Sequence, residues 1–181
     1  MSFPKPYADT VARLRVALGF LLAGAFLWFS DPRPHSLAVG LPVAVLGLFL
    51  RAWAAGHLEK NLELAQNGPY ARVRNPLYAG TLTAAAGLAI AARSWILAAV
   101  LATYFLCVYL PVVELEEQHL ARLFPEFQDY ARRVPRVIPR LRAVSAAGKR
   151  FRWTLYLRNR EYQALAGFMV GVAVLAWKAL R

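Results

Sequence analysis

Cysteine is nearly absent from this chain. Cys107 stands alone in 181 residues, so no disulfide can form within the chain, and its place inside an apolar run gives it a packing role. Acids are scarce too: ten Asp and Glu face 22 Lys and Arg, for a formal net charge of +12. No internal repeat and no low-complexity tract is present, which excludes solenoid and linker architectures. The first apolar run is followed by Ser30-Asp31-Pro32-Arg33-Pro34 and lacks a small-x-small cleavage pattern, so it reads as a retained anchor and not as a signal peptide.

What fills the chain is apolar surface. Hydrophobic residues make up 59% of it and the mean hydropathy is +0.38, above the 45–50% apolar content of ordinary soluble domains. Five apolar segments stand out, at Val11–Phe29, Leu37–Ala55, Leu77–Ala92, Trp95–Val113 and Ala164–Trp177. Each approaches the roughly 20 residues needed to cross a hydrocarbon core. The expected fold is therefore an all-α integral membrane protein: one domain, 1–181, with five transmembrane helices.

The basic residues set its orientation. With the N-terminus in the cytoplasm, all but four of the 22 fall in inside segments, the exceptions being Arg33, Arg93, Lys178 and Arg181. This is the asymmetry that membrane insertion favours. Topology and attraction to anionic membrane lipids thus account for the positive charge, and no nucleic-acid partner is expected. The localisation that follows is the bacterial inner membrane.

Only Arg93-Ser94 links the third and fourth spans, which must form a tight antiparallel hairpin. The hairpin brings the polar stretch NGPYARVRNPLYAG (67–80) beside VVELEEQHL (112–120) at the cytoplasmic face. Residues 56–142 then hold the binding and catalytic core. Residues 143–181 supply a basic, aromatic interfacial linker and the last span, where Gly167 and Gly171 form a small-xxx-small pattern compatible with a homodimer. The apolar spacing at Leu115, Leu120, Leu123, Phe124 and Phe127 continues the fourth span as an amphipathic helix, which Pro125 interrupts.

Gly68-Pro69 forces a turn, Asn75 before Pro76 leaves the helical region, and Pro76 suits a first helical turn. The third span therefore opens with free N–H groups and a positive dipole end, which suit a carboxylate. A plain reading makes Asn75 a cap, Tyr70 and Tyr78 interfacial aromatics, and Arg72 and Arg74 phosphate contacts. Three acids at a span end, Glu114, Glu116 and Glu117, add a demand for a cationic partner, either those arginines or a positively charged ligand.

These residues match a family pattern. Gly68-Pro69-Tyr70, Val73-Arg74-Asn75-Pro76-Leu77-Tyr78 and Gly80, then Glu116-Glu117 with Leu120, then Tyr130, Val134-Pro135-Arg136 and Pro139, resemble the isoprenylcysteine carboxyl methyltransferase and phospholipid methyltransferase group of integral membrane enzymes. The resemblance covers about Arg51 to Leu141. It implies S-adenosylmethionine as cofactor, with Leu62, Glu63, Leu64, Ala65, Tyr70, Asn75, Pro76, Leu77, Tyr78 and Glu116 as contacts. The chain departs from the pattern at Asn75, where the family usually has His, and at Val112, where the carboxyl-methylating members carry Arg. No metal ligand set is assigned.

The expected activity is methyl transfer to a lipophilic acceptor drawn from the bilayer. An amine acceptor needs deprotonation, for which Glu117, Glu114 and His119 are the candidates. Val112 disfavours a prenylcysteine-like carboxylate and leaves a lipid amine, thiol or hydroxyl. Two alternatives stay open: a sterol-reductase-like enzyme using NADPH, and a non-catalytic membrane scaffold. The orientation is directly testable. In a Cys107→Ser background, a cysteine replacing Arg93 should react with an impermeant maleimide from outside and one replacing Ser145 only from the cytoplasm. Labelling of both from one side would refute the arrangement.

Overall fold

The computed structural model describes residues 3–143 and 148–181, so Ser145 and the rest of 144–147 in the linker lie outside the described residues. Helix α1 spans Lys5–Phe29, α2 Pro34–Ala55, α3 Pro76–Ala92 and α4 Trp95–Leu123. Two short helices follow, α5 at Phe127–Arg133 and α6 at Trp153–Arg158, and α7 runs over Tyr162–Ala179. Among the described residues there is no strand, and the all-α membrane architecture holds.

Four helices, α1, α2, α4 and α7, are long and apolar enough to cross a membrane. The remaining apolar run, Leu77–Ala92, forms α3, whose 17 residues extend only about 25 Å at 1.5 Å per residue, short of a hydrocarbon core of about 30 Å. Several spans outrun their apolar segments. Helix α1 starts at Lys5 because Pro6 sits comfortably in a first turn, and α4 continues past Val113 to Leu123 before Phe124 turns extended ahead of Pro125.

Helices α2 and α3 pack backbone to backbone. A Cβ placed on Gly47 would lie 2.3 Å from the Ala84 nitrogen, and one on Gly87 2.3 Å from the Ala44 nitrogen. Gly40 and Gly80 repeat the contact further along the same seam. Lipid solvates apolar side chains as well as protein does, so close backbone approach supplies the attraction between such helices. By contrast, a Cβ on Gly167 or Gly171 meets nothing within 4 Å, and that face of α7 is open.

The two ends of the bundle are tied differently. At one end Arg93 adopts φ 52°, Ser94 caps α4 by accepting from the Leu97 N–H, and Ser36 donates to the Ala91 carbonyl at 2.8 Å. Lys178 of α7 donates to the Leu27 and Ser30 carbonyls there. At the other end the Asn159 amide donates to the Ala55 and Leu58 carbonyls, both at 2.9 Å, closing the open C-terminus of α2. Arg51 of α2 also pairs with Glu161 ahead of α7.

Inside α4, residues Phe105–Tyr109 form a π-helical turn ahead of Pro111. Proline has no N–H, so the Cys107 carbonyl one turn back loses its helical partner. The Tyr7 hydroxyl of α1 supplies the bond instead, at 2.6 Å. Tyr104 returns the link by donating to the Arg15 carbonyl at 2.8 Å. These contacts pin α1 to α4 beside the polar end.

The glycine seam yields a clear expectation. Gly47→Val forces a side chain into the α3 backbone, an overpacking that costs about 1–3 kcal/mol or more. It should lower the detergent-solubilised melting temperature sharply, whereas Gly171→Val should leave it unchanged. Equal melting temperatures for the two variants would refute the seam.

Candidate functional site

The polar end encloses a cavity of about 700 Å³. Its floor is the start of α3, its far wall the α4 face carrying Val112, Glu116 and His119, and its roof the loop residues Asn61, Glu63 and Leu64. Ala12 and Arg15 of α1 close one side, and Asn159 and Glu161 another.

The loop from Asn67 to Asn75 is built to hold its shape. Gly68 has φ +57°, and a Cβ there would lie 2.8 Å from the His57 ring. His57 is itself fixed by Nδ1 against the Trp53 carbonyl at 2.9 Å and does not line the cavity. Residues 134–140 lie alongside this loop: the Arg74 N–H donates to the Pro135 carbonyl at 2.8 Å, Asn75 to Arg136 at 3.2 Å, and Arg140 to Arg72 at 3.0 Å. The Tyr130 hydroxyl donates to the Tyr70 carbonyl at 2.8 Å. Burial pushes the Tyr70 phenol well above its ordinary range, with the Glu116 carboxylate adding to the effect, so it stays protonated.

Glu117 is the centre of this clasp. It is buried, accepts from Asn75 Nδ2 at 3.0 Å, and pairs with Arg136 Nη2 at 2.8 Å and with Arg74 Nη1 at 3.4 Å. A carboxylate so engaged holds the motif loop, α4 and the 134–140 segment together, and it has little capacity left to take a proton from a substrate. Arg72 goes elsewhere, its guanidinium lying 5.8 Å from the centre of the Trp53 ring.

Glu116 is different. It lines the cavity and accepts from the Tyr78 hydroxyl at 3.0 Å, and among the described residues it has no ion pair. The neighbouring Arg74 is 14% exposed, and its Nε is buried without a hydrogen-bond partner. The N–H groups of Leu77 and Tyr78, in the first turn of α3, have no backbone partner among the described residues. An acid and an open helix start thus face one space.

Of the residues the sequence singled out, Glu63, Leu64, Ala65, Tyr70, Asn75, Pro76, Leu77, Tyr78, Glu116, Glu117 and His119 line this cavity. Leu62 and Glu114 do not. Leu62 is 63% exposed on the outside of the loop, and Glu114 is buried on the side of α4 turned from Glu116, since residues two apart on a helix face nearly opposite ways. His119 is exposed at the rim, its Nε2 3.3 Å from Asn61 Oδ1. Sequence reasoning missed Arg15, Arg51, Tyr109, Asn159 and Glu161, all of which line the cavity. A charge inside an apolar run is the available signal, but in the sequence Arg15 and Arg51 count only toward orientation.

The phospholipid methyltransferase family profile matches residues 35–126, from the start of α2 to just beyond α4. The chain belongs to this family. The match takes in the α2–α3 seam, the motif loop, Tyr78, Glu116 and Glu117, and leaves Arg15, Tyr130, Asn159 and Glu161 outside it. Two curated relatives are similar over part of the chain. One is the nickel-cobalt-cadmium resistance protein NccN of Alcaligenes xylosoxydans xylosoxydans, 40% identical over 107 residues, 58% of this chain and 50% of the relative. The other is the cobalt-zinc-cadmium resistance protein CzcN of Cupriavidus metallidurans, 38% identical over 136 residues, 70% of this chain and 62% of the relative. The chain thus spans between half and 62% of the length of these relatives. No solved structure matches it significantly.

Within this family member, the clasp can be tested apart from any activity. Tyr130→Phe removes one buried hydrogen bond and should cost about 1 kcal/mol, while Glu117→Gln leaves Arg74 and Arg136 uncompensated and should cost about 3 kcal/mol or more. Thermal unfolding in detergent reads both. A Glu117→Gln variant as stable as the parent would reject the clasp.

Proposed function

We propose that the chain transfers a methyl group from S-adenosylmethionine to a lipophilic acceptor that reaches the cavity from the bilayer. Family membership supports the reaction class. The observation that carries the cofactor is Glu116: an acid without a cationic partner, in a cavity of about 700 Å³, next to the rings of Tyr78 and Tyr109. The cofactor supplies a methyl group activated by a sulfonium charge.

The residues fit such a molecule. The Glu116 carboxylate and the Tyr78 and Tyr109 rings offer the surroundings a desolvated cation needs. The open N–H groups of Leu77 and Tyr78 suit a carboxylate. Asn75, which occupies the usual histidine position, is spent on Glu117 and the Arg136 carbonyl and serves to hold the loop. A nicotinamide dinucleotide phosphate would need several free cations, whereas Arg51 is paired with Glu161 and Arg74 with Glu117, which leaves Arg15 and Lys60 as the lining cations without an ion pair among the described residues. This weighs against the reductase reading.

The candidates for a general base are poorly placed for one. Glu117 is engaged by Arg74 and Arg136, Glu114 faces away from the cavity, and His119 sits at its exposed rim. The site favours an acceptor that needs no proton removed within it. In this proposal α3 spans with the other four helices, the N-terminus is cytoplasmic, and the cavity opens to the cytoplasmic face of a bacterial inner membrane.

The test is cofactor binding by the purified full chain. S-adenosylmethionine should bind in calorimetry, and Glu116→Gln should weaken it roughly tenfold or more, the loss of a charge-assisted contact worth about 1.5–3 kcal/mol. Tyr78→Phe, which removes only the hydroxyl that holds Glu116, should weaken it less. An unchanged dissociation constant in Glu116→Gln would reject the assignment, and no binding by the parent chain would favour a scaffold.

A further inference from the structure

Three arginines line the cavity, and they are not equivalent. Arg51 is held by Glu161 through Nη2 at 3.0 Å and by Thr81, and Arg74 is paired with Glu117. Among the described residues the Arg15 side chain has neither a hydrogen bond nor an ion pair. Yet Arg15 lies within α1, about 15 Å along the helix axis from Lys5 at 1.5 Å per residue. Arg15 is exposed there, near the start of the first apolar run, and its charge is open to something anionic at the membrane interface.

The surroundings of Arg15 indicate what that something is. A second cleft, of about 270 Å³, runs between α1 and α4 from Gly19 and Tyr104 to Arg15, Tyr109 and Val112. The last three also line the main cavity, so the cleft lies against it there. Gly19 has open space where a Cβ would stand, and Val16 beside it is 63% exposed, so the cleft opens on the lipid-facing side of α1. Apart from Arg15 and the tyrosine hydroxyls its walls are apolar. The Tyr104 hydroxyl donates to the Arg15 carbonyl, which ties this turn of α1 to α4 beside the cleft.

The two spaces together are bipolar. Glu116, an acid with no cation, faces the inner part, and Arg15, a cation with no acid, stands where the lipid-facing cleft enters. They do not pair with each other. We propose that Arg15 binds the anionic group of the methyl acceptor, a lipid whose carboxylate or phosphate sits at Arg15 while its chain occupies the cleft between α1 and α4. The word acceptor rests on the methyl-transfer reading; the binding itself does not. Arg15 lies outside the region matched to the family, so this recognition comes from the chain's own first helix.

The experiment omits cofactor, so its failure and that of the methyltransferase reading are distinguishable. The full chain is placed in phosphatidylcholine nanodiscs with chain-labelled spin probes, stearic acid against its methyl ester and phosphatidylglycerol against phosphatidylcholine. The motion-restricted fraction gives the affinity of each. At least one anionic probe should be preferred about tenfold over its partner, the size of a charge-assisted contact, and the pair that shows it tells carboxylate from phosphate. Arg15→Gln should abolish the preference and Arg15→Lys should keep most of it. Gly19→Phe, filling the cleft where space is open, should release the restricted chain without touching the charge.

No preference in the parent chain for either anionic probe overturns the proposal, and that comparison stands even if Arg15→Gln fails to fold. A preference that survives Arg15→Gln overturns it as well. Loss in Arg15→Gln with full retention in Gly19→Phe would put the lipid outside the cleft and overturn it too.

Discussion

Everything at the polar end depends on how closely α2 and α3 approach. Gly40, Ala44 and Gly47 on one helix meet Gly80, Ala84, Gly87 and Ala91 on the other, with backbone atoms where side chains would otherwise intervene. In a bilayer no hydrophobic force drives helices together, so this dispersion contact must do so. It also sets the register. With Gly80 against Arg51, the guanidinium reaches across the first turns of α3 to Thr81 and on to Glu161, and Asn75, Pro76 and Tyr78 are presented at a fixed height opposite α4.

On that frame the charges divide into two kinds. Glu117 with Arg74 and Arg136, and Glu161 with Arg51, are buried or half-buried pairs that close the cavity wall by joining segments distant in sequence. Such pairs contribute little net stability over apolar packing, yet breaking one leaves an uncompensated charge, so they specify arrangement more than they add strength. Glu116 and Arg15 are the other kind, without a counter-charge among the described residues where the space is open. Had either been placed to neutralise the other, the cavity would lack the polarity that a cation and an anion can both use.

Much of this was legible in the sequence, for identifiable reasons. A two-residue link, Arg93-Ser94, permits only a hairpin, and the hairpin alone predicts that Tyr78 and Asn75 come near Glu116 and Glu117. The break at Pro125 followed from proline chemistry. The α2–α3 seam was not legible, because its small residues are shared between two helices and each half resembles the alanine-rich background. The Gly167 and Gly171 pattern was easier to see, and among the described residues of the chain it meets no other element. Glu161 was hidden differently: only the approach of α7 to α2 reveals its partner, and nothing near it in sequence points to Arg51.

The boundary of the family match then acquires a physical meaning. Residues 35–126 carry the seam, the motif loop and Glu116, the parts that shape the inner cavity and would face a shared cofactor. Helix α1 and the approach to α7 lie outside that span and form the other walls, contributing Arg15, Asn159 and Glu161. A wall that only has to exclude water can be apolar throughout. One that carries an unpaired arginine at the mouth of a lipid-facing cleft has a recognition task. Because Arg15 is anchored through its backbone by Tyr104, and Tyr7 repairs the carbonyl freed by Pro111, α1 is fastened to the distorted stretch of α4 that also directs Tyr109 and Val112 inward. The π-turn, the proline and the first helix thus act as one device that holds the α1 wall of the cavity against α4.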